Sequence, residues 1–155
     1  MQKITPCLWF DNEAEEAASF YTSTFKNSRI LQVTHHGKAG PGPEGSVLTV
    51  SFELEGQEFV ALNGGPEFTF NEAISLQVSC ADQDEVDEFW SNLSEGGEEG
   101  PCGWLKDKYG VSWQIIPTRL TELISDPDPE KSARAMRAML QMQKIDIAAL
   151  EQAAL

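Results

Sequence analysis

CGWLKDKYGVSWQIIP, residues 102–117, is the stretch from which the fold can be read. It predicts two short strands joined at Lys108-Tyr109-Gly110. In the second strand Val111, Trp113 and Ile115 point one way and Ser112, Gln114 and Ile116 the other. One side of such a strand belongs to a core. The other carries an uncharged glutamine, and a face merely wetted by solvent usually collects lysine and glutamate instead. A neutral hydrogen-bonding residue there suits a sheltered hollow in which polar atoms are few and must find partners.

Working back from this hairpin, EAISLQVSC (72–80) predicts a strand, DQDEVDEFWSNL (82–93) a helix capped at Asp82, and SEGGEEGP (94–101) a run of breakers. The first half of the chain has the same order. KITPCLWF (3–10) is a strand, and Asp11 or Asn12 can cap the helix EAEEAASFYTSTF. RILQVTHH (29–36) is a strand followed by the loop GKAGPGPEG (37–45), and SVLTVSFELE and QEFVALN are strands joined at Gly56. Each helix closes on an aromatic pair, Phe20-Tyr21 and Phe89-Trp90, which makes an internal duplication the economical explanation. The expected organisation is one α+β domain with a first βαβββ module over about 1–65 and a second over about 66–118. A helical tail (119–155) follows, broken at Asp126-Pro127-Asp128-Pro129, with Met136, Met139, Leu140 and Met142 crowding one helix. Such a tail needs an apolar surface, on its own domain or across a subunit boundary.

Composition narrows the function. Twenty-five acidic against eleven basic side chains give a formal net charge of −14, which repels nucleic acid and anionic membranes. Cys7, Cys80 and Cys102 are an odd number without metal-knuckle spacing, the N-terminal stretch lacks an apolar run of signal-peptide length, and no long apolar segment occurs. A cytoplasmic protein with no nucleic-acid and no membrane partner is expected.

Taking each strand by alternate residues predicts a polar inner face made of Thr5, Cys7 and Trp9, then Phe59, Ala61 and Asn63, then Ser75 and Gln77, then Trp104, Ser112 and Gln114. These are the expected ligand-binding residues, with Trp9, Phe59 and Trp104 offering aromatic faces to a flat ligand. The outward set Thr49, Ser51, Glu53 and Glu55 is more exposed in character and predicts a rim or edge strand. His35 and His36 are adjacent and point to opposite faces, so they cannot jointly hold a metal; His35 is the candidate acid or base, and Cys7 with His35 would make a nucleophile and base only if the fold brought them together. The glycine-rich loop 37–45 lacks the lysine and the following helix of a phosphate loop and reads as a mobile loop or lid.

ITPCLWF, LNGGP, FNEAISLQVSC, GWLKDKYGVSWQIIP and the tail KIDIAAL together resemble the PhnB-like branch of the vicinal oxygen chelate superfamily, which includes glyoxalase I, ring-cleaving dioxygenases and bleomycin-resistance proteins. The resemblance implies paired βαβββ modules forming a cupped mixed sheet, usually in a homodimer, with a pocket for a small molecule. It also implies metal ligands, histidine or glutamate, on the first and last strands of each module. Those positions correspond here to Thr5, to Ala61 or Asn63, to Ala73 or Ser75, and to Gln114. None is an imidazole or a carboxylate, so no cofactor and no catalytic metal are expected. The branch is also labelled a 3-demethylubiquinone methyltransferase domain, yet no glycine-rich turn of a conventional S-adenosylmethionine site is present. The resulting expectation is a homodimeric small-molecule binder. The alternative is an enzyme of the same fold, either a metal-dependent isomerase or oxygenase or a methyltransferase.

Overall fold

The computed structural model describes residues 2–155, and the chain divides after Phe70 into two compact units. The first contains β1 (Cys7–Phe10), α1 (Ala14–Thr24), β2 (Arg29–His35), β3 (Val47–Leu54) and β4 (Gln57–Asn63). The second contains β5 (Ser75–Cys80), α2 (Gln83–Ser94), β6 (Glu98–Glu99), β7 (Trp104–Lys106) and β8 (Ser112–Pro117). Each builds a four-stranded mixed sheet, ordered β1-β4-β3-β2 in one and β5-β8-β7-β6 in the other. In both, the first strand runs parallel to the last and the remaining pairings are antiparallel. The repeat inferred from the helix-ending aromatics is therefore a repeat of topology. β6 completes it from within the stretch predicted as breakers. Gly97 lies so close to the backbone of Lys106 and Asp107 that a side chain there would strike it.

In the first unit the core lies between α1 and one side of the sheet. Tyr21 stands over Phe52 at 6.1 Å, and Phe52 stacks on Phe59 at 5.4 Å. This corrects the expected face of β4. Phe59 is 7 % exposed and Ala61 fully buried, both on the helix side, so Val60 and Leu62 are the residues that share the open face with Cys7 and Trp9. QEFVALN is apolar at nearly every interior position, so alternation fixes a period of two but not its phase. Three further expectations change. β3 is interior, between β4 and β2, and so is neither rim nor edge. Neither Asp11 nor Asn12 caps α1: the N-cap is Glu13, with no side-chain cap, and the Ala14 N–H donates instead to Asn63 Oδ1 at 2.8 Å. The first strand is shorter than 3–10, because Pro6 precedes it and Ile4 is exposed.

In the second unit α2, capped by Asp82 as expected, buries Val86, Trp90 and Leu93. On the core side of the sheet Leu105, Trp113 and Ile115 are buried. The turn between β7 and β8 is organised by Asp107, which is 3 % exposed. One carboxylate oxygen accepts from the Tyr109 and Val111 N–H groups at 2.9 and 3.1 Å, the other from the Trp113 indole N–H at 2.8 Å. Gly110 sits at φ +88°, the left-handed conformation this turn requires.

The tail belongs to this unit and packs in cis. α3 (Thr118–Ile124), α4 (Pro129–Met139) and α5 (Ile147–Ala153) enclose a cluster of Leu120, Leu123, Ala135, Ile145, Leu150 and Ala154, against which Ile116, Met139 and Met142 pack. The segment between α4 and α5 straps this cluster to the module. Cys102 and Gly103 N–H groups donate to the Met142 and Gln143 carbonyls at 2.7 and 2.8 Å. Gln83 on α2 donates to the Ile145 carbonyl at 2.9 Å and accepts from the Ile147 N–H at 2.8 Å.

Candidate functional site

The open face of the second sheet is set by register. Ser75, Ser112 and Lys106 form one row across β5, β8 and β7, and Gln77, Gln114 and Trp104 form the next. The glutamine that raised the question in the sequence sits between two partners. Gln114 donates from Nε2 to Ser75 Oγ at 2.8 Å and accepts at Oε1 from Gln77 at 3.3 Å. This chain of neutral groups gives the middle of the face polarity without charge, while Lys106 brings a charge to the β7 side.

A cavity of about 570 Å³ opens beside it, lined by Glu72, Glu98, Glu99, Gly100, Pro101, Cys102, Trp104, Leu105, Lys106 and Ser112. Its walls are largely apolar, with a few polar groups at defined points, as is usual for small-molecule sites. Ser112 is 1 % exposed and its hydroxyl has no hydrogen-bond partner in the protein. A buried polar atom left unpaired costs free energy, and this one belongs to a residue that lines the cavity. Lys106 Nζ lies 2.6 Å from Glu72 Oε2. That hydrogen bond and its charge hold the Glu72 carboxyl below the usual range and raise the Lys106 ammonium above its own. Glu98 faces Lys106 across the β6–β7 pair, whereas Glu99 accepts from the Trp90 indole N–H at 2.7 Å. A second hollow of about 430 Å³, lined by Gln77, Ser79, Ile116, Thr118, Thr121, Glu122 and Ser125, lies at the other end of the same face, against α3.

Of the expected binding residues, Ser75, Gln77, Trp104, Ser112 and Gln114 share this face, and Trp104 and Ser112 line the larger cavity. Sequence reasoning missed Lys106, Glu98 and the Gly100–Cys102 wall. Lys106 could have been found from its alternation with Trp104, but its pairing with Glu72, 34 positions away, has no local signal.

In the first unit the residues separate. Cys7 is exposed and Thr5 half-buried. Trp9 donates its indole N–H to the Gly65 carbonyl at 2.9 Å, rests on Gly64, where a Cβ would collide with the ring, and meets Phe68 edge-on at 4.9 Å. LNGGP is thus a structural motif: Asn63 caps α1 and also donates to the Val47 carbonyl at 3.1 Å, while Gly64 and Gly65 seat Trp9. His35 is exposed at the end of β2. Cys7 on β1 and His35 on β2 stand on opposite edge strands, three strand spacings or about 14 Å apart, too far for a nucleophile and its base. His36 is buried, with Gly40 and Gly42 of the glycine-rich loop packed against its ring.

Comparison with known proteins places this fold. The family model described as 3-demethylubiquinone-9 3-methyltransferase matches residues 2–116. The chain belongs to this family. The PhnB protein from Bacillus cereus is 41 % identical, over 75 % of this chain and 99 % of that one, with a TM-score of 0.67. Two more distant structures share the fold: a Pseudomonas aeruginosa protein at 18 % identity and TM-score 0.63, covering 76 % of this chain and 98 % of that one, and the genomically encoded fosfomycin resistance protein FosX from Listeria monocytogenes at 12 % and 0.51, covering 76 % and 93 %. No curated protein matches. The PhnB-like family model stops at the end of β8, so the three tail helices lie beyond it.

The fold family implies a divalent metal, and the donors present do not fit one. Among the described residues no three histidine, cysteine, aspartate or glutamate side chains form a group able to hold a metal ion. At the corresponding positions Ala61 is core, the Asn63 amide is committed to Ala14 and Val47, and the Gln114 amide to Ser75 and Gln77. Among the described residues no helix is long and apolar enough to cross a membrane.

Proposed function

We propose that this PhnB-like protein binds a small molecule on the open face of its second sheet, through chemistry that does not need a resident metal. The observation that carries the reading is a largely apolar cavity of about 570 Å³ whose lining includes Ser112, a residue with a buried hydroxyl that has no partner in the protein. Trp104 lines the same cavity and adds an aromatic side chain, and Gln114 holds the adjoining polar row together through Ser75 and Gln77. On this reading Phe59, Ala61 and Asn63 stabilise the fold of the first unit, as Trp9 does through Gly64, Gly65 and Phe68.

Methyl transfer, which the family's name carries, has less support. The strand-to-helix connections, Asp11–Glu13 and Ala81–Asp82, contain no glycine. Carboxylates crowd the first turn of each helix, where a nucleotide-like anion would otherwise be held. We further propose a cytoplasmic homodimer, for which exposed Ile4, Ile30, Leu31, Phe68 and Ile74 supply apolar surface. Sedimentation at micromolar concentration should give twice the chain mass.

Thermal unfolding against a chemically diverse fragment set tests the binding role. A ligand at one hundred times its Kd adds about 2.7 kcal/mol, or roughly 5–10 °C in Tm. Compounds that stabilise the wild type should lose their effect on Ser112→Val, which narrows the cavity. A set with no stabilising member, or one whose effect survives that substitution, would remove the reading.

A further inference from the structure

The cavity beside Ser112 has a charge imbalance that selects among ligands. Its lining includes Glu72, Glu98 and Glu99 against the single ammonium of Lys106, but Glu99 pairs with core Leu105 and turns to the Trp90 indole, so Glu72 and Glu98 are the carboxylates on the side of Lys106. Lys106 is already engaged with Glu72 at 2.6 Å and has Glu98 opposite it on β6, so an arriving anion would have to compete with two carboxylates for that one cation. Between these charges the wall is apolar, with Pro101 and Trp104 in its lining. A cation entering there gains attraction from the Glu98 carboxylate, which has no cation of its own among the described residues, and from Trp104 in the lining, an indole being the aromatic ring that attracts cations best.

We propose that this cavity selects a flat aromatic cation: a ring system carrying one positively charged nitrogen directed to Glu98 and one polar atom within reach of the Ser112 hydroxyl. The assignment rests on the binding role proposed above and adds the ligand's charge and shape. The acidic surface of the whole chain, at a net charge of −14, also favours approach of cations over anions.

The test uses three probes with a common ring, measured calorimetrically on the full chain at a pH above neutral and low salt: an N-methylated methoxyquinolinium, the neutral methoxyquinoline and a methoxyquinoline carboxylate. The cation should bind about tenfold more tightly than the neutral analogue, in line with a cation over an indole beside a carboxylate. That advantage should shrink as salt rises through the range where the screening length falls below about 10 Å. Glu98→Gln should remove most of it, bringing the affinities of the cation and the neutral analogue together. Equal affinities for cation and neutral analogue, or tightest binding by the carboxylate, would overturn the charge assignment and leave the binding role intact. Failure of all three probes, or equal binding of all three to Ser112→Val, would count against both.

Discussion

Ser75 and Ser112 face each other across the parallel pair of β5 and β8, and their hydroxyls should respond in opposite directions to removal. Ser75 Oγ accepts from Gln114 at 2.8 Å, so Ser75→Ala removes an intramolecular hydrogen bond and should cost about 0.5–1.5 kcal/mol. Ser112 Oγ is buried without a partner. Its presence imposes a desolvation penalty of about 1–3 kcal/mol with no bond to offset it, so Ser112→Ala should stabilise the ligand-free protein by about 1–2 kcal/mol, the lost van der Waals contacts taking back the remainder. For a chain of this length that corresponds to a rise in Tm of roughly 2–8 °C. Urea unfolding should show the Ser112→Ala midpoint moving up and that of Ser75→Ala moving down, with unchanged slopes. The same Ser112→Ala protein should bind cavity ligands more weakly, the trade of stability for function expected at a binding site. If Ser112→Ala instead lowers stability by about 1 kcal/mol or more, the hydroxyl is satisfied in the folded protein and the argument for a ligand at this point fails.

Other consequences follow from the same unit. Asp107→Ala leaves two backbone N–H groups and the Trp113 indole without an acceptor in the core, and should cost about 3–5 kcal/mol in chemical unfolding. The Glu72 carboxyl, lowered by Lys106, contributes stability above the ordinary carboxylate range and loses it as pH falls through the lowered value. Lys106, raised by Glu72, contributes below the ordinary lysine value and loses it as pH rises through the raised one. The pair is therefore constant around neutrality, and a carboxyl-carbon NMR titration should place the Glu72 midpoint below that of a free glutamate and return it on Lys106→Met. Burial first, then the nearby Glu85 and Asp82 charges, push the Cys80 thiol up to about 12. Maleimide at mildly alkaline pH should therefore label exposed Cys7 and leave Cys80 unmodified in peptide mass mapping, until the protein is unfolded. Gln83→Ala severs that residue's two hydrogen bonds to the tail strap, leaving the Lys144–Asp87 ion pair, and should raise amide exchange across 142–147 with a loss of about 1–2 kcal/mol.

The repeat and its two sheets were legible because the signals lie where sequence patterns are strong. Tyr21 and Trp90, each about one turn before the end of its helix, are both core residues, and Trp113 is buried opposite the polar face as its alternation predicts. β8 has one apolar and one polar side, so its phase is fixed by composition. β4 has no polar side, so its phase was set by tertiary packing of Phe59 on Phe52, and Phe59, Ala61 and Asn63 were assigned to the wrong face. The cap on α1 was missed for a similar reason: Asn63 reaches Ala14 from 49 positions away, whereas capping patterns are read from adjacent residues. The cavity was half legible. Trp104 and Ser112 followed from strand alternation, but its rim is built by a two-residue strand and by Cys102 and Gly103 in left-handed backbone conformations, at φ +57° and +86°, pinned by the tail strap.

The central claim is that the open face of the second sheet receives a small molecule. Its most direct test is a backbone-amide and indole NMR titration of the full chain with the tightest compound from the fragment set. Shift changes should concentrate on Glu98–Lys106, Ser112–Gln114 and the Trp104 indole, and should disappear in Ser112→Val. Changes concentrated elsewhere, or a Trp104 indole that does not move at saturation, would contradict the claim.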